Sequence, residues 1–91
     1  GVKKIKLYFN LITHIQGLKD YAIIYTSDEK IVVKGSVKQV HELLPKKDFI
    51  RVHKSFIVAK NKIQHIERNR IIFGDHQIPI GRNYREAIPI D

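Results

Sequence analysis

His53, Lys54 and Ser55 set an imidazole, an ammonium and a hydroxyl side by side between two short apolar runs, Phe49 to Val52 and Phe56 to Ala59. A serine two residues from a histidine has the rudiments of a nucleophile and its base. No orienting acid and no glycine-rich oxyanion loop accompany the pair, so the chain does not read as an enzyme. His14, His41, His53, His65 and His76 have no metal-ligand spacing, and the chain has no cysteine, so neither a metal nor another cofactor is expected. The remaining chemistry is recognition of an anion by polar groups held on a rigid connection between strands. Taken alone, the triplet reads equally well as a plain solvated turn.

Charge favours the anion. The chain has 17 Lys and Arg against 9 Asp and Glu, a formal net charge of +8 and a pI near 9.9, a field that attracts polyanions. Between Lys46 and Arg70 stand eight basic residues (Lys46, Lys47, Arg51, Lys54, Lys60, Lys62, Arg68 and Arg70) and two acidic ones, Asp48 and Glu67. No long basic amphipathic helix carries this charge, so a membrane surface is a poor partner. No apolar run approaches the roughly 18 residues of a membrane span and no signal-peptide pattern opens the chain, which predicts a cytoplasmic protein.

The elements that must position these groups are mostly strands. Residues 1–91 are enough for a single domain with one modest core, and the 43 % hydrophobic residues are rich in Ile and Val. Alternation from Lys4 to Phe9 predicts a half-buried strand, and further strands are expected at 11–16, 21–26 and 31–33, with Gly17 to Asp20 as a turn. Ser36 is a helix N-cap with Gln39 in capping-box position. Val37, Val40 and Leu44, with Leu43 beside them, give one apolar stripe, so one short helix covers about 36–44 before Pro45 ends it. His41 is expected to face solvent. After the Phe49 to Ala59 hairpin, short strands at 63–67, 70–73 and 77–80 form a meander, with Pro79 confining the last to an edge. Arg82 to Ile88 closes the chain in a brief helical turn. The fold class is therefore mainly β, a small antiparallel multi-stranded domain with one short helix.

Three separated motifs in order, Gly17-Leu18-Lys19-Asp20-Tyr21, Phe49-Ile50-Arg51-Val52-His53-Lys54-Ser55-Phe56-Ile57-Val58 and Ile78-Pro79-Ile80-Gly81-Arg82-Asn83-Tyr84, resemble the LytTR DNA-binding domain of bacterial response regulators. The resemblance implies an antiparallel β fold that inserts loops, not a recognition helix, into successive major grooves of direct-repeat promoter sites. It also implies that residues 1–91 are one domain excised from a longer response regulator of a two-component system. A receiver domain and its sensor histidine kinase are then partners, and dimerisation on DNA is possible.

Carried over position by position, the resemblance puts base contacts on Lys54, Arg82, Asn83, His53, Lys19 and Tyr21, with bracing of its loop from behind as the alternative role for His53. Arginine's planar fork suits guanine O6 and N7, asparagine suits adenine, and Lys54 suits guanine or phosphate. Phosphate contacts fall on Ser55, Arg51, Lys60, Lys62 and Arg85. Ala59 and Gly81 depart from the family, where Asn and Ser are frequent. Two rival readings are an RNA- or single-strand-binding β domain and a basic protein-interaction module. The first needs a cluster of exposed aromatic residues, and Tyr8, Tyr21, Tyr25 and Tyr84 are too dispersed in sequence to make one.

Overall fold

The computed structural model describes residues 6–88. Its strands are β1 (Ile12–Leu18), β2 (Tyr21–Thr26), β3 (Lys30–Lys34), β4 (Phe49–His53), β5 (Phe56–Ala59), β6 (His65–Glu67), β7 (Arg70–Phe73) and β8 (His76–Pro79). Helix α1 (Val37–Leu43) lies between β3 and β4, and 3-10 turns occupy Phe9–Leu11, Lys60–Lys62 and Arg82–Ala87. Every pairing is antiparallel, in one sheet of order β3-β2-β1-β5-β4 and a second of order β6-β7-β8. The mainly β architecture, the single short helix and the meander are as the sequence predicts, and β8 with Pro79 lies at an edge. No helix among the described residues is long and apolar enough to cross a membrane.

The larger sheet buries two faces unequally. On one face Ile15, Ala22, Ile24, Phe49 and Ile57 pack against Val37, Val40 and Leu44 of the helical segment. On the other, Val52 and Val58 meet Ile71, Phe73 and Ile78 of the second sheet and Ile88 of the C-terminal segment. The β4–β5 hairpin is thus sandwiched, which is why Ile57, Val58 and Ala59 are buried in succession and β5 shows no alternation. Helix α1 starts as its cap predicts: Ser36 Oγ accepts from Gln39 N–H and Gln39 Oε1 accepts from Ser36 N–H.

Three local expectations are corrected. Lys6, Leu7 and Tyr8 have no regular structure and Phe9–Leu11 is a 3-10 turn, while Lys4 and Ile5 lie outside the described residues. Leu7 packs on the core and the Phe9 ring meets Phe49 edge-on at 6.2 Å, while the ladders on both sides of β1 are already taken by β2 and β5. Leu43 is 80 % exposed, because the helix ends there and Leu44, in an extended conformation, carries the apolar stripe on. His41 is half-buried, not solvent-facing. It stands four residues after Val37 on the same helix flank, and the Phe49 carbonyl accepts from its Nε2 at 3.2 Å.

His14 joins the two sheets. It is 4 % exposed, stacked on Tyr25 at 4.2 Å between ring centroids, with Phe73 at 5.5 Å and His76 at 5.0 Å. Thr13 Oγ1 lies 2.9 Å from its Nδ1. Burial, reinforced by the neighbouring His76, lowers its pKa from the usual 6.5 to about 4.

Candidate nucleic-acid interface

Antiparallel pairing decides which connections share an end of the sheet. Gln16 pairs with Phe56, and one step further Gly17 N–H donates to the Ser55 carbonyl at 2.8 Å. The β1–β2 turn and the β4–β5 turn are thereby neighbours. Tyr21 pairs with Lys34, and Gly35 N–H donates to the Asp20 carbonyl at 2.6 Å, so the end of β3 belongs to the same edge. Beyond β4, Gly81 N–H donates to the Val52 carbonyl at 2.7 Å, which brings Arg82 and Asn83 alongside His53. Segments around residues 19, 54 and 82 form one row across the end of the five-stranded sheet.

Two glycines allow this closeness. The sequence predicts a turn from Gly17, yet β1 continues through Leu18 and only Lys19 and Asp20 form the connection. Gly17 instead is a notch for the helix: a Cβ there would stand 2.1 Å from Val37 Cγ2. A Cβ at Gly81 would stand 2.9 Å from Tyr84 Cδ2 and 3.4 Å from His53 Cα, so a side chain there pushes on the aromatic ring. The Lys19 backbone is left-handed, φ 55°, a conformation that costs a non-glycine residue about 1 kcal/mol.

The β4–β5 turn is braced from within. Ser55 N–H donates to His53 Nδ1 at 3.0 Å, so the ring carries its proton on Nε2, and Phe56 meets the ring edge-on at 5.6 Å. Arg51 Nη2 donates to the Lys54 carbonyl at 2.7 Å, and its Nε points to the His53 carbonyl at 3.4 Å. The same guanidinium lies 5.6 Å from the centre of the Tyr84 ring. Lys54 is left exposed at the tip of a turn whose backbone is held from behind.

Of the sequence-predicted residues, Lys19, Tyr21, His53, Lys54, Ser55, Arg82 and Asn83 come together at this end. Lys60 and Lys62 do not: they follow β5 at its other end, about 17 Å from Ser55 at the usual rise of a strand. Arg85 hydrogen-bonds Asn69 Oδ1 and so ties the last 3-10 turn to the β6–β7 turn. The basic stretch from Lys46 to Arg70 is therefore not one patch, since the hairpin sends Lys54 one way and Lys46, Lys47, Lys60 and Lys62 the other. Lys34 was missed, although the hairpin register implied by β2 and β3 sets it opposite Tyr21. Tyr21 and Tyr25 share a face, but Tyr25 is covered by His14, so they form no open stacking platform. The row offers four exposed cations, Lys19, Lys34, Lys54 and Arg82, and one carboxylate, Asp20. Its chemistry is donation of hydrogen bonds to an extended anion.

The family profile of the LytTr DNA-binding domain matches residues 3–89. The sensory transduction protein LytT of Bacillus subtilis (strain 168) is 31 % identical over 71 residues, covering 71 % of this chain and 30 % of that protein. The chain thus spans under a third of that relative's length. A solved LytTr DNA-binding domain from Bacillus cereus superposes with a TM-score of 0.80 over 91 % of this chain and 82 % of that one, at 24 % identity, a likeness of fold.

Proposed function

The chain belongs to the LytTr DNA-binding domain family, and from that premise we propose that it binds double-stranded promoter DNA sequence-specifically, as one domain of a bacterial two-component response regulator. The observation that carries the reading is the meeting of three segments, distant in sequence, in one row of exposed hydrogen-bond donors. Five strands at the usual spacing make that row about 19 Å wide before Arg82 and Asn83 are added. It is broader than a single major groove of about 12 Å, so its donors extend beyond one groove, and in this reading the loops at its two ends enter successive major grooves.

In this reading Lys54, Arg82 and Asn83 reach base edges, with Lys19 and Tyr21 on the neighbouring turn. His53 holds the Lys54 turn through Nδ1, and its Nε2–H is the donor left for DNA. Ser55 and Lys34 are placed for phosphates, which fix register without reading sequence. The rest of the response regulator is a receiver domain answering a sensor histidine kinase, the regulator acts in the cytoplasm, and two copies fill a direct repeat.

Selection of random duplexes on the purified domain tests the reading. Affinity is then measured on the recovered site and on a scrambled one at two salt concentrations. The expected result is a recovered motif with a cognate-to-scrambled ratio of at least about 10³. Absence of enrichment, with weak binding that disappears at moderate salt, reduces the charge to a non-specific footprint and sinks the proposal.

A further inference from the structure

Arg51 is the one basic residue of the β4–β5 hairpin whose guanidinium is committed to the protein itself. It stands three residues before Lys54, is half-buried, and makes three contacts: the Lys54 carbonyl at 2.7 Å, the His53 carbonyl at 3.4 Å and the Tyr84 ring at 5.6 Å. The first two fix the backbone beneath Lys54. The third reaches the 3-10 turn that begins with Arg82 and Asn83. Tyr84 is itself set close to the hairpin, because its N–H donates to the Gly81 carbonyl at 3.0 Å and Gly81 N–H donates to the Val52 carbonyl at 2.7 Å. One side chain therefore touches two of the loops that carry the exposed donors, those of Lys54 and Arg82.

We infer that Arg51 is a positioning residue that couples the β4–β5 turn to the Arg82 loop and so sets sequence preference without touching DNA. The inference rests on the DNA-reading function proposed above and replaces the phosphate contact expected for this residue. A planar fork suits the role: one edge donates to carbonyls while the face lies on an aromatic ring, a combination that a lysine ammonium cannot reproduce. Base discrimination depends on the relative placement of reading groups, whereas attraction to phosphates tolerates their displacement. Loosening the coupling should thus lower specificity and spare non-specific affinity.

Gly81 fits the same arrangement. Its φ of −73° is open to any residue, so glycine is needed there for space and not for backbone freedom. A Cβ would press on the Tyr84 ring that Arg51 faces.

The test measures affinity on the selected duplex and its scrambled counterpart across a salt series for the wild type, Arg51→Lys, Arg51→Gln, Tyr84→Phe and Tyr84→Leu, with thermal midpoints recorded for each. Positioning predicts that Arg51→Lys, which keeps the charge, lowers the cognate-to-scrambled ratio about tenfold at an unchanged salt slope. Tyr84→Leu matches that loss, Tyr84→Phe keeps the wild-type ratio, and Arg51→Lys/Tyr84→Leu loses no more than either change alone. A direct phosphate contact predicts the reverse: Arg51→Lys near wild type, and Arg51→Gln weaker on both duplexes with a slope smaller by about 0.9. That second pattern overturns the inference. Should Arg51 variants unfold, the Tyr84 pair decides it, since equal ratios for Tyr84→Phe and Tyr84→Leu overturn the coupling. A wild-type domain with no sequence preference removes the DNA-reading proposal and this inference together, whereas a selective wild type matched by Arg51→Lys removes only this one.

Discussion

The two ends of the β4–β5 hairpin are both basic, yet they are built differently. At one end Lys54 stands on a turn held by Arg51 and His53, flanked by Lys19, Lys34 and Arg82 on connections that hydrogen-bond to one another. At the other, Lys46, Lys47, Lys60 and Lys62 sit on a loop and a 3-10 turn around grooves lined by Phe9, Phe49, Ile50 and Ile88. The larger groove has a volume of about 630 Å³ and takes in Asp48 as well as Lys60. The first end fixes its donors relative to one another. The second presents charge beside apolar surface. Lys60 N–H donates to the Asp48 carbonyl at 2.8 Å and ties the two segments through backbone, but among the described residues no side-chain hydrogen bond fixes its lysines as Arg51 and His53 fix the Lys54 turn. Charge alone attracts a polyanion, but reading a sequence needs donors at fixed separations.

The largest effect that would break this contrast is expected at the braced end. Lys54→Ala and Arg82→Ala should each cost about 1–3 kcal/mol on the cognate duplex and relax preference at one base pair, and the double variant should approach their sum. Affinity for scrambled DNA should change far less. Titrations on both duplexes decide this, because equal losses on the two would show that these side chains meet phosphates only and that neither end reads bases.

Both ends share one mount, and acid should loosen it. The His14 pKa is lowered to about 4 in the folded protein against about 6.5 unfolded. Between those values the unfolded chain binds a proton that the folded chain excludes. The stabilisation is complete above pH 6.5, falls as the pH drops towards 4, and changes no further below that. The expected loss is on the order of 2 kcal/mol, measured by urea unfolding at pH 7 and pH 4.5. His14→Phe, which keeps an aromatic ring against Tyr25, should flatten that dependence. An undiminished slope in the variant would put the acid sensitivity elsewhere.

Much of the braced end was legible in the sequence, and the reason is local. β5 and β7 fall where apolar runs between turn residues put them, and the Ser36–Gln39 box starts α1 as it should. What the sequence hid depends on contacts across the fold. Gly17 reads as a turn residue because nothing nearby in sequence announces Val37, which packs against it. Arg51 reads as one more surface cation because its partners are carbonyls and a ring 33 residues away at Tyr84. The basic stretch reads as one patch because linear density does not reveal that a hairpin reverses the chain at Lys54 and Ser55. The alternation gives no strand at 6–9 for a related reason: a strand also needs an open ladder, and β1, into which these residues lead, has none to give.

Gly17→Ala is expected to destabilise the fold by about 1–2 kcal/mol, since the new methyl must displace Val37 and with it α1. Gly74→Ala is the matched control, for nothing lies within 4 Å of a Cβ there and only the positive φ of 55° opposes it. Its cost should be nearer 1 kcal/mol. If the two substitutions shift the thermal midpoint equally, the helix is not seated in the notch as closely as the geometry requires.

The smallest effect is the sharpest test of the contrast. A duplex lying along the row of Lys19, Lys54 and Arg82 passes the end of the sheet remote from Lys60 and Lys62, which follow the other end of β5. Lys60→Ala should therefore alter affinity for either duplex by no more than about 0.3 kcal/mol and leave the salt slope as it was, whereas a phosphate contact would lower that slope by about 0.9. A fall of that size would mean that the DNA bends round the side of the domain to meet the second basic end. The two ends would then act as one continuous surface, and the clustering of charge from Lys46 to Arg70 in the sequence would be functional after all.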